Sequence, residues 1–181
     1  MSHCLDNAPP DQDVPATGRR GVSAETRDAS AVRYRLRMTR PPSEGDFVPV
    51  PLPEELLDLL RRPSLCFVAT VMPDGSPQLT QTWVSTDGQN ILINTPDWSQ
   101  KARNVAREPR VAVNIVDTAH TRRYFAVRGR VVAASTEGGA QNIDEISVKY
   151  LGQPYPNFSG RPETRMILTI EADSVRGMGT R

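Results

Sequence analysis

The sequence predicts an α+β fold: an antiparallel, six-stranded β-barrel with helices at its periphery. Three observations lead there. Strand-like segments follow one another through short turn signals, Asp74-Gly75 and Asp87-Gly88, the punctuation of hairpins. Helical segments are inserted between strands instead of alternating with them, which argues against a doubly wound parallel sheet. The length of 181 residues builds one core and hardly two.

Residues 1–50 read as a leader and 51–181 as the folded domain. The stretch 1–30 is polar, holds Pro9, Pro10, Pro15, Gly18 and Gly21, and shows no apolar period, so disorder is expected. From Val32 to Met38 apolar residues alternate with Arg33, Arg35 and Arg37, the period of a strand. Two readings stay open for it: a solvated tail, or an arm whose arginines face an anion. Residues 53–62 form a short amphipathic helix with acids in its first turn, arginines in its last, and Pro63 as its stop. Residues 65–72 are a β-branched apolar strand. Residues 77–85 are a second, with Gln78, Thr80, Thr82 and Val84 on one face, and 91–95 a third. A helix is expected over 99–108, burying Ala102, Val105 and Ala106 and ending at Pro109. Strands follow over 110–116 and 124–133, with Gly129 a bulge or a point of close approach. Residues 138–151 are helical, Pro154, Pro156 and Pro162 mark a loop, and 165–170 is the sixth strand.

Composition excludes several functions. Lys+Arg of 22 against Asp+Glu of 21 leaves a net charge of +1, which argues against non-specific nucleic-acid binding. No run approaches the ~18–20 apolar residues of a membrane span. There is no apolar signal segment, and Cys4 and Cys66 lie too far apart in character to be a disulfide framework, so a cytoplasmic setting is expected. His3 and His120 have no triad partners, and no Cys/His cluster has metal-ligand spacing, so no metal is expected. Asp144 and Glu145 are neighbours on a helix and point apart.

The informative segment runs from Asn94 and Thr95 through Trp98 and Ser99 to Lys101, Arg103 and Asn104. A strand ends in amide and hydroxyl side chains, a loop turns, and a helix begins at a serine cap. Lys101 falls in the first helical turn, where a cation opposes the helix dipole. Either the lysine is exposed and tolerates this, or an anion sits there among free N–H groups, hydroxyls and the ammonium.

Four blocks in order resemble the pyridoxamine 5'-phosphate oxidase-like split-barrel family, and most closely its branch using the deazaflavin coenzyme F420. Phe67 to Gln78 is similar to the opening hairpin, A-T-x-x-x-D-G-x-P. Asn90 to Thr95 with Lys101 to Val111 is similar to the strand, phosphate loop and helix. Tyr124 to Gly129 resembles the strand crossing the barrel, and Lys149-Tyr150-Leu151-Gly152 with Arg165 to Leu168 the closing helix and strand. The resemblance spans roughly residues 56–179. It implies that Lys101 and Ser99 contact a cofactor phosphate, helped by Asn104 and Arg103, with Asn94 and Thr95 lining the same site. Gln78, Thr80 and Gln81 would face the ring and its ribityl chain. Trp83 and Trp98 are either a stacking wall for the ring or core and interface packing. The implied function is hydride transfer from reduced F420 to a small conjugated substrate. An FMN-dependent oxidase or reductase and a non-catalytic flavin or tetrapyrrole binder are the alternatives. The family implies a homodimer with the cofactor at the subunit interface, for which Val111, Val113, Ile115 and the tryptophans are the expected contact face. The long-tailed cofactor carries extra acids, against which Arg33, Arg35 and Arg37, with Arg122, Arg123 and Arg128, would supply cations.

Overall fold

The computed structural model describes residues 47–179; the stretch 1–30 and the Arg33, Arg35 and Arg37 stripe lie outside the described residues. Helix α1 is Glu54–Arg61, α2 Gln100–Arg107 and α3 Gly139–Leu151. The strands are β1 Leu65–Val71, β2 Pro77–Thr82, β3 Ser85–Thr86, β4 Ile91–Pro96, β5 Arg110–Val116, β6 Tyr124–Ser135 and β7 Arg165–Met178. They form one curled antiparallel sheet in the order β2-β1-β5-β6-β7-β4-β3, a half-barrel whose edges are β2 and β3.

The fold class is the expected α+β split barrel, but with seven strands among the described residues instead of six. The expected second strand breaks at Trp83-Val84. Its first part pairs with β1 and its second with β4, so two residues carry the chain from one sheet edge to the other. Helix α3 makes the break possible by taking over backbone groups that a ladder would otherwise use. The Val84 N–H points to the Tyr150 hydroxyl at 3.4 Å, and that hydroxyl donates to the Ser64 carbonyl at 2.9 Å. Lys149 Nζ donates to the Val84 carbonyl and, at 2.7 Å, to that of Leu60. The Val84 side chain meanwhile is fully buried.

Strand ends differ elsewhere too. β7 continues eight residues beyond the expected Ile170 because it pairs with β4 along its first half and with β6 along most of its length. β6 bends as it follows, with register shifts at Arg128/Gly129 and Val131/Ala133. Gly129 is both bulge and close approach: a Cβ there would lie 2.1 Å from the Glu171 carbonyl oxygen. The two turn glycines, Gly75 and Gly88, sit at φ 84° and 95°, conformations that suit glycine.

One side of the sheet and α1 enclose the core. Leu56, Leu59 and Leu60 of α1 meet Cys66, Val68, Ile91, Ile93, Leu168 and Ile170, all within 1% of complete burial. On α2 the expected face is partly corrected. Ala102 and Val105 are buried but Ala106 is exposed, and Asn104 is buried in its place because every polar atom of its amide finds a partner. Val111, Val113 and Ile115 also point into this core, at 6, 2 and 0% exposure, so they cannot form the expected intersubunit face. The alternate residues, Ala112 and Asn114, face outward with Phe67, Ala69 and Leu79.

Candidate functional site

The polar residues of the phosphate-loop segment converge at the start of α2. Ser99 caps this helix, its Oγ accepting the Ala102 N–H at 3.1 Å. The same oxygen accepts the Thr95 hydroxyl at 2.9 Å, and Thr95 Oγ1 in turn accepts from Lys101 Nζ at 3.3 Å. Thr95 is completely buried. The Lys101 ammonium is partly buried, and no carboxylate pairs with it among the described residues. Burial first, and then the neighbouring Arg165 guanidinium, holds its pKa below the ordinary lysine value. A partly desolvated cation beside a helix start, with only one hydroxyl as partner, is unfavourable until an anion joins it.

A second chain of hydrogen bonds runs from α2 along the inner face of β1 and β2. Asn104 Nδ2 donates to Thr70 Oγ1 at 2.9 Å, Thr70 donates to Gln78 Oε1 at 2.9 Å, and Gln78 Nε2 donates to Thr80 Oγ1 at 2.7 Å. Gln100 Nε2 completes the Asn104 amide at 2.8 Å. Asn104 therefore fixes α2 to the sheet, while Gln78 and Thr80 line the barrel interior beside it. Gln81 alternates to the other face, opposite Phe67, and reaches the rim of a separate cleft.

That cleft, about 390 Å³, lies at the split in the sheet. Gln81, Thr82 and Trp83 approach it from the β2 edge and Asn94 and Arg165 from β4 and β7. Tyr155 and Phe158, on the loop after α3, cover it. Trp83 stacks on Tyr150 at 5.2 Å and meets the edges of Tyr155 and Phe158 at 6.3 and 6.0 Å. Arg165 donates to Asn94 Oδ1 at 2.7 Å and to Glu163 Oε2 at 2.8 Å, with its guanidinium 4.9 Å above the Tyr155 ring. Asn94 itself donates to the Gly139 carbonyl at 2.8 Å and to Asn142 at 3.1 Å.

Of the residues singled out from sequence, Lys101, Ser99 and Thr95 come together, and Asn104, Gln78 and Thr80 form the adjoining network. Asn94 does not share their side of β4: successive residues alternate, so Thr95 faces α2 while Asn94 faces α3. Arg103 turns outward and donates to the Trp98 carbonyl at 2.5 Å and to Gln100 at 2.7 Å. Trp83 is a cleft wall, and Trp98 lies 44% exposed under the Arg161 guanidinium. Of Arg122, Arg123 and Arg128, expected to supply cations, two stand beside carboxylates. Arg123 lies 3.6 Å from buried Asp117, and Arg128 lies 3.9 Å from Asp173 on the outer face. Sequence reasoning missed Arg165, Tyr155 and Phe158. Only the pairing of β7 with β4 and the fold-back of the loop bring them to the cleft, and neither leaves a local signal. Among the described residues no group of His, Cys, Asp and Glu could hold a metal ion, and no helix is long and apolar enough to cross a membrane.

A half-barrel with a cation at a capped helix start and a ring-lined cleft at its split defines a class of cofactor-binding fold, and comparison with known proteins gives the family. Residues 52–179 match the family described as pyridoxamine 5'-phosphate oxidase. The chain belongs to this family of flavin-binding split barrels, which includes oxidoreductases. Among solved structures it is similar to one described as F420 reductase, with 28% identity over 69% of this chain and 98% of that one at a TM-score of 0.59. It is also similar to the conserved hypothetical protein Rv2991 of Mycobacterium tuberculosis, with 26% identity over 72% of this chain and 86% of that one at a TM-score of 0.55. The General Stress Protein 26 of Bacillus anthracis shares the fold at 16% identity, covering 71% of this chain and 94% of that one at a TM-score of 0.52. No curated protein matches the sequence significantly.

Proposed function

We propose that this chain is an oxidoreductase that binds coenzyme F420 and passes hydride from the reduced deazaflavin to a small conjugated substrate. The observation that carries the reading is the partly buried Lys101 ammonium, which has the Thr95 hydroxyl and no carboxylate for company. The site fits such a cofactor: ammonium, serine hydroxyl and helix start suit a phosphate, and the Gln78 and Thr80 side chains beside them suit the polar edge of a ring. Likeness to the F420 reductase supports the deazaflavin over FMN.

When bound, the cofactor supplies the hydride, and the acceptor takes a proton from solvent to complete its two-electron reduction. The chain's own residues bind, orient and exclude water. Lys101 and Ser99 hold the phosphate, and buried Thr95 positions both through its hydroxyl. Gln78 and Thr80 are held in line by Thr70 and Asn104, ready to meet polar edges of the ligand. Trp83, stacked on Tyr150, supplies a flat wall to the separate cleft. No acid–base pair is needed for hydride transfer itself.

The protein is further read as a homodimer. Support comes from the outward depression of about 490 Å³ on β1, β2, β5 and β6, lined by Phe67, Ala69, Leu79, Ala112 and Ala126. Leu79 is 67% exposed there, an apolar surface that a second copy would cover. Light scattering should give a dimer at micromolar concentration and a monomer for Leu79→Asp. Absorbance titration of purified protein with F420 and with FMN tests the cofactor reading. Saturable binding of F420 and oxidation of the reduced form by conjugated carbonyls or quinones are expected. Binding of neither cofactor would refute it.

A further inference from the structure

The cleft at the split has one feature that phosphate binding by Lys101 does not use. The Arg165 side chain is only 9% exposed and opens on the cleft. Its Nε is taken by Asn94 and one amino group by Glu163, itself 5% exposed. Its other amino group has no acceptor among the described residues. Those two hydrogen bonds fix the plane of the fork, with the Tyr155 ring 4.9 Å from its centre, so the remaining N–H groups have a set direction. Beside it stand Trp83, Tyr155 and Phe158, the last 68% exposed at the mouth. An edge of a guanidinium left open next to an aromatic wall is the recognition geometry for a planar group bearing a carboxylate.

We infer that this cleft takes the hydride acceptor, and that the acceptor is a flat conjugated carboxylic acid, its ring or enone against Trp83 and Phe158 and its carboxylate on Arg165. The acceptor role rests on the hydride-transfer reading; the binding chemistry does not. Glu163 cancels part of the Arg165 charge, so recognition depends on the directed fork more than on net charge. An acidic group on the cofactor has the same chemistry, and competition separates the two sources.

The test is tryptophan fluorescence of the cofactor-free protein titrated with trans-cinnamate and with methyl cinnamate. Trp83 and Trp98 are the only tryptophans, so Trp98→Phe leaves the cleft residue as sole reporter. The acid should bind about ten- to a hundredfold more tightly than the ester, the range of a charge-assisted hydrogen bond. Arg165→Gln combined with Glu163→Gln, which leaves no lone buried charge, should make acid and ester equal. Phe158→Ala, at an exposed position, should weaken both by a similar factor. Equal binding of acid and ester by the unaltered protein would overturn the inference, whether or not the double variant folds. Preference for the acid surviving in the folded double variant would also overturn it. Displacement of cinnamate by saturating F420 would return the cleft to the cofactor, whereas simultaneous binding supports the acceptor role. If F420 fails to bind while the preference for the acid persists, the cofactor reading fails and the anion subsite stands.

Discussion

The chain's only two lysines, Lys101 and Lys149, sit in comparable surroundings and are partnered very differently. Both are partly buried, both have a pKa lowered chiefly by that burial, and neither pairs with a carboxylate among the described residues. Lys149, lowered to about 8, sits at the end of α3 and donates to the carbonyls of Leu60 and Val84 while its Nζ lies 4.9 Å over the Tyr150 ring. Lys101, at the start of α2, has the Thr95 hydroxyl alone. Helix polarity separates them further: carbonyls at a helix end favour a cation, and N–H groups at a helix start oppose one. A buried cation whose acceptors come from its own chain holds the fold together. One whose acceptors are missing becomes more stable when an anion joins it.

The largest effect is expected at the satisfied lysine. Lys149→Met removes the donor from two carbonyls and loosens the Trp83-Val84 crossing. It should lower the unfolding free energy by about 2–3 kcal/mol in urea titrations. Unchanged stability would erase the distinction between the two lysines.

Asp117 extends the comparison to a charge with full compensation. Its side chain is 1% exposed, accepts from Arg62 at 2.7 Å, lies 3.6 Å from Arg123, and accepts the Ala119 N–H at 2.9 Å. The Arg62 hydrogen bond above all holds its pKa down from 3.8 to about 2. A carboxyl with a depressed folded-state pKa stabilises above its unfolded value and loses that contribution as pH falls through the folded one. Stability should therefore drop by about 2 kcal/mol between pH 4 and pH 2, more steeply than in Asp117→Asn. Parallel pH profiles for the two proteins would show that the pair contributes nothing.

The smallest effect is expected at Arg103, a cation one turn from Ser99 and the proposed phosphate position, whose guanidinium is already engaged by the Trp98 carbonyl and Gln100. Arg103→Ala should change cofactor affinity by about twofold or less, as for other exposed contacts. A tenfold loss in calorimetric titration would mean that Arg103 leaves those partners to reach the ligand.

What the sequence made legible follows the range of the interactions. Period-2 strands, Asp-Gly turns and the Ser99 cap are set by neighbours a few residues apart, and they stand where expected. So does the approach of Lys101 to Ser99 and Thr95, which one strand end, one loop and one helical turn position. The break at Trp83-Val84 was not legible, because its hydrogen-bond partners arrive 65 and 66 residues later. Neither was the separation of Asn94 from Thr95, since both faces of β4 are covered by helices and burial alone does not distinguish them. Arg165 enters the cleft only through the register that sets it opposite Pro96.

The measurement that bears most directly on the proposed cofactor site is paired calorimetry of the unaltered protein and Lys101→Ala, with thermal melts of both. Their melting should agree to within about 0.5 kcal/mol of stability, because Thr95 keeps its hydrogen bond to Ser99 when the partly desolvated ammonium is removed. F420 should bind the unaltered protein, and the variant about ten- to a hundredfold more weakly, the loss of one charge-assisted phosphate contact. Equal F420 affinity for the two proteins, with both folded, would contradict the assignment of Lys101 to the phosphate.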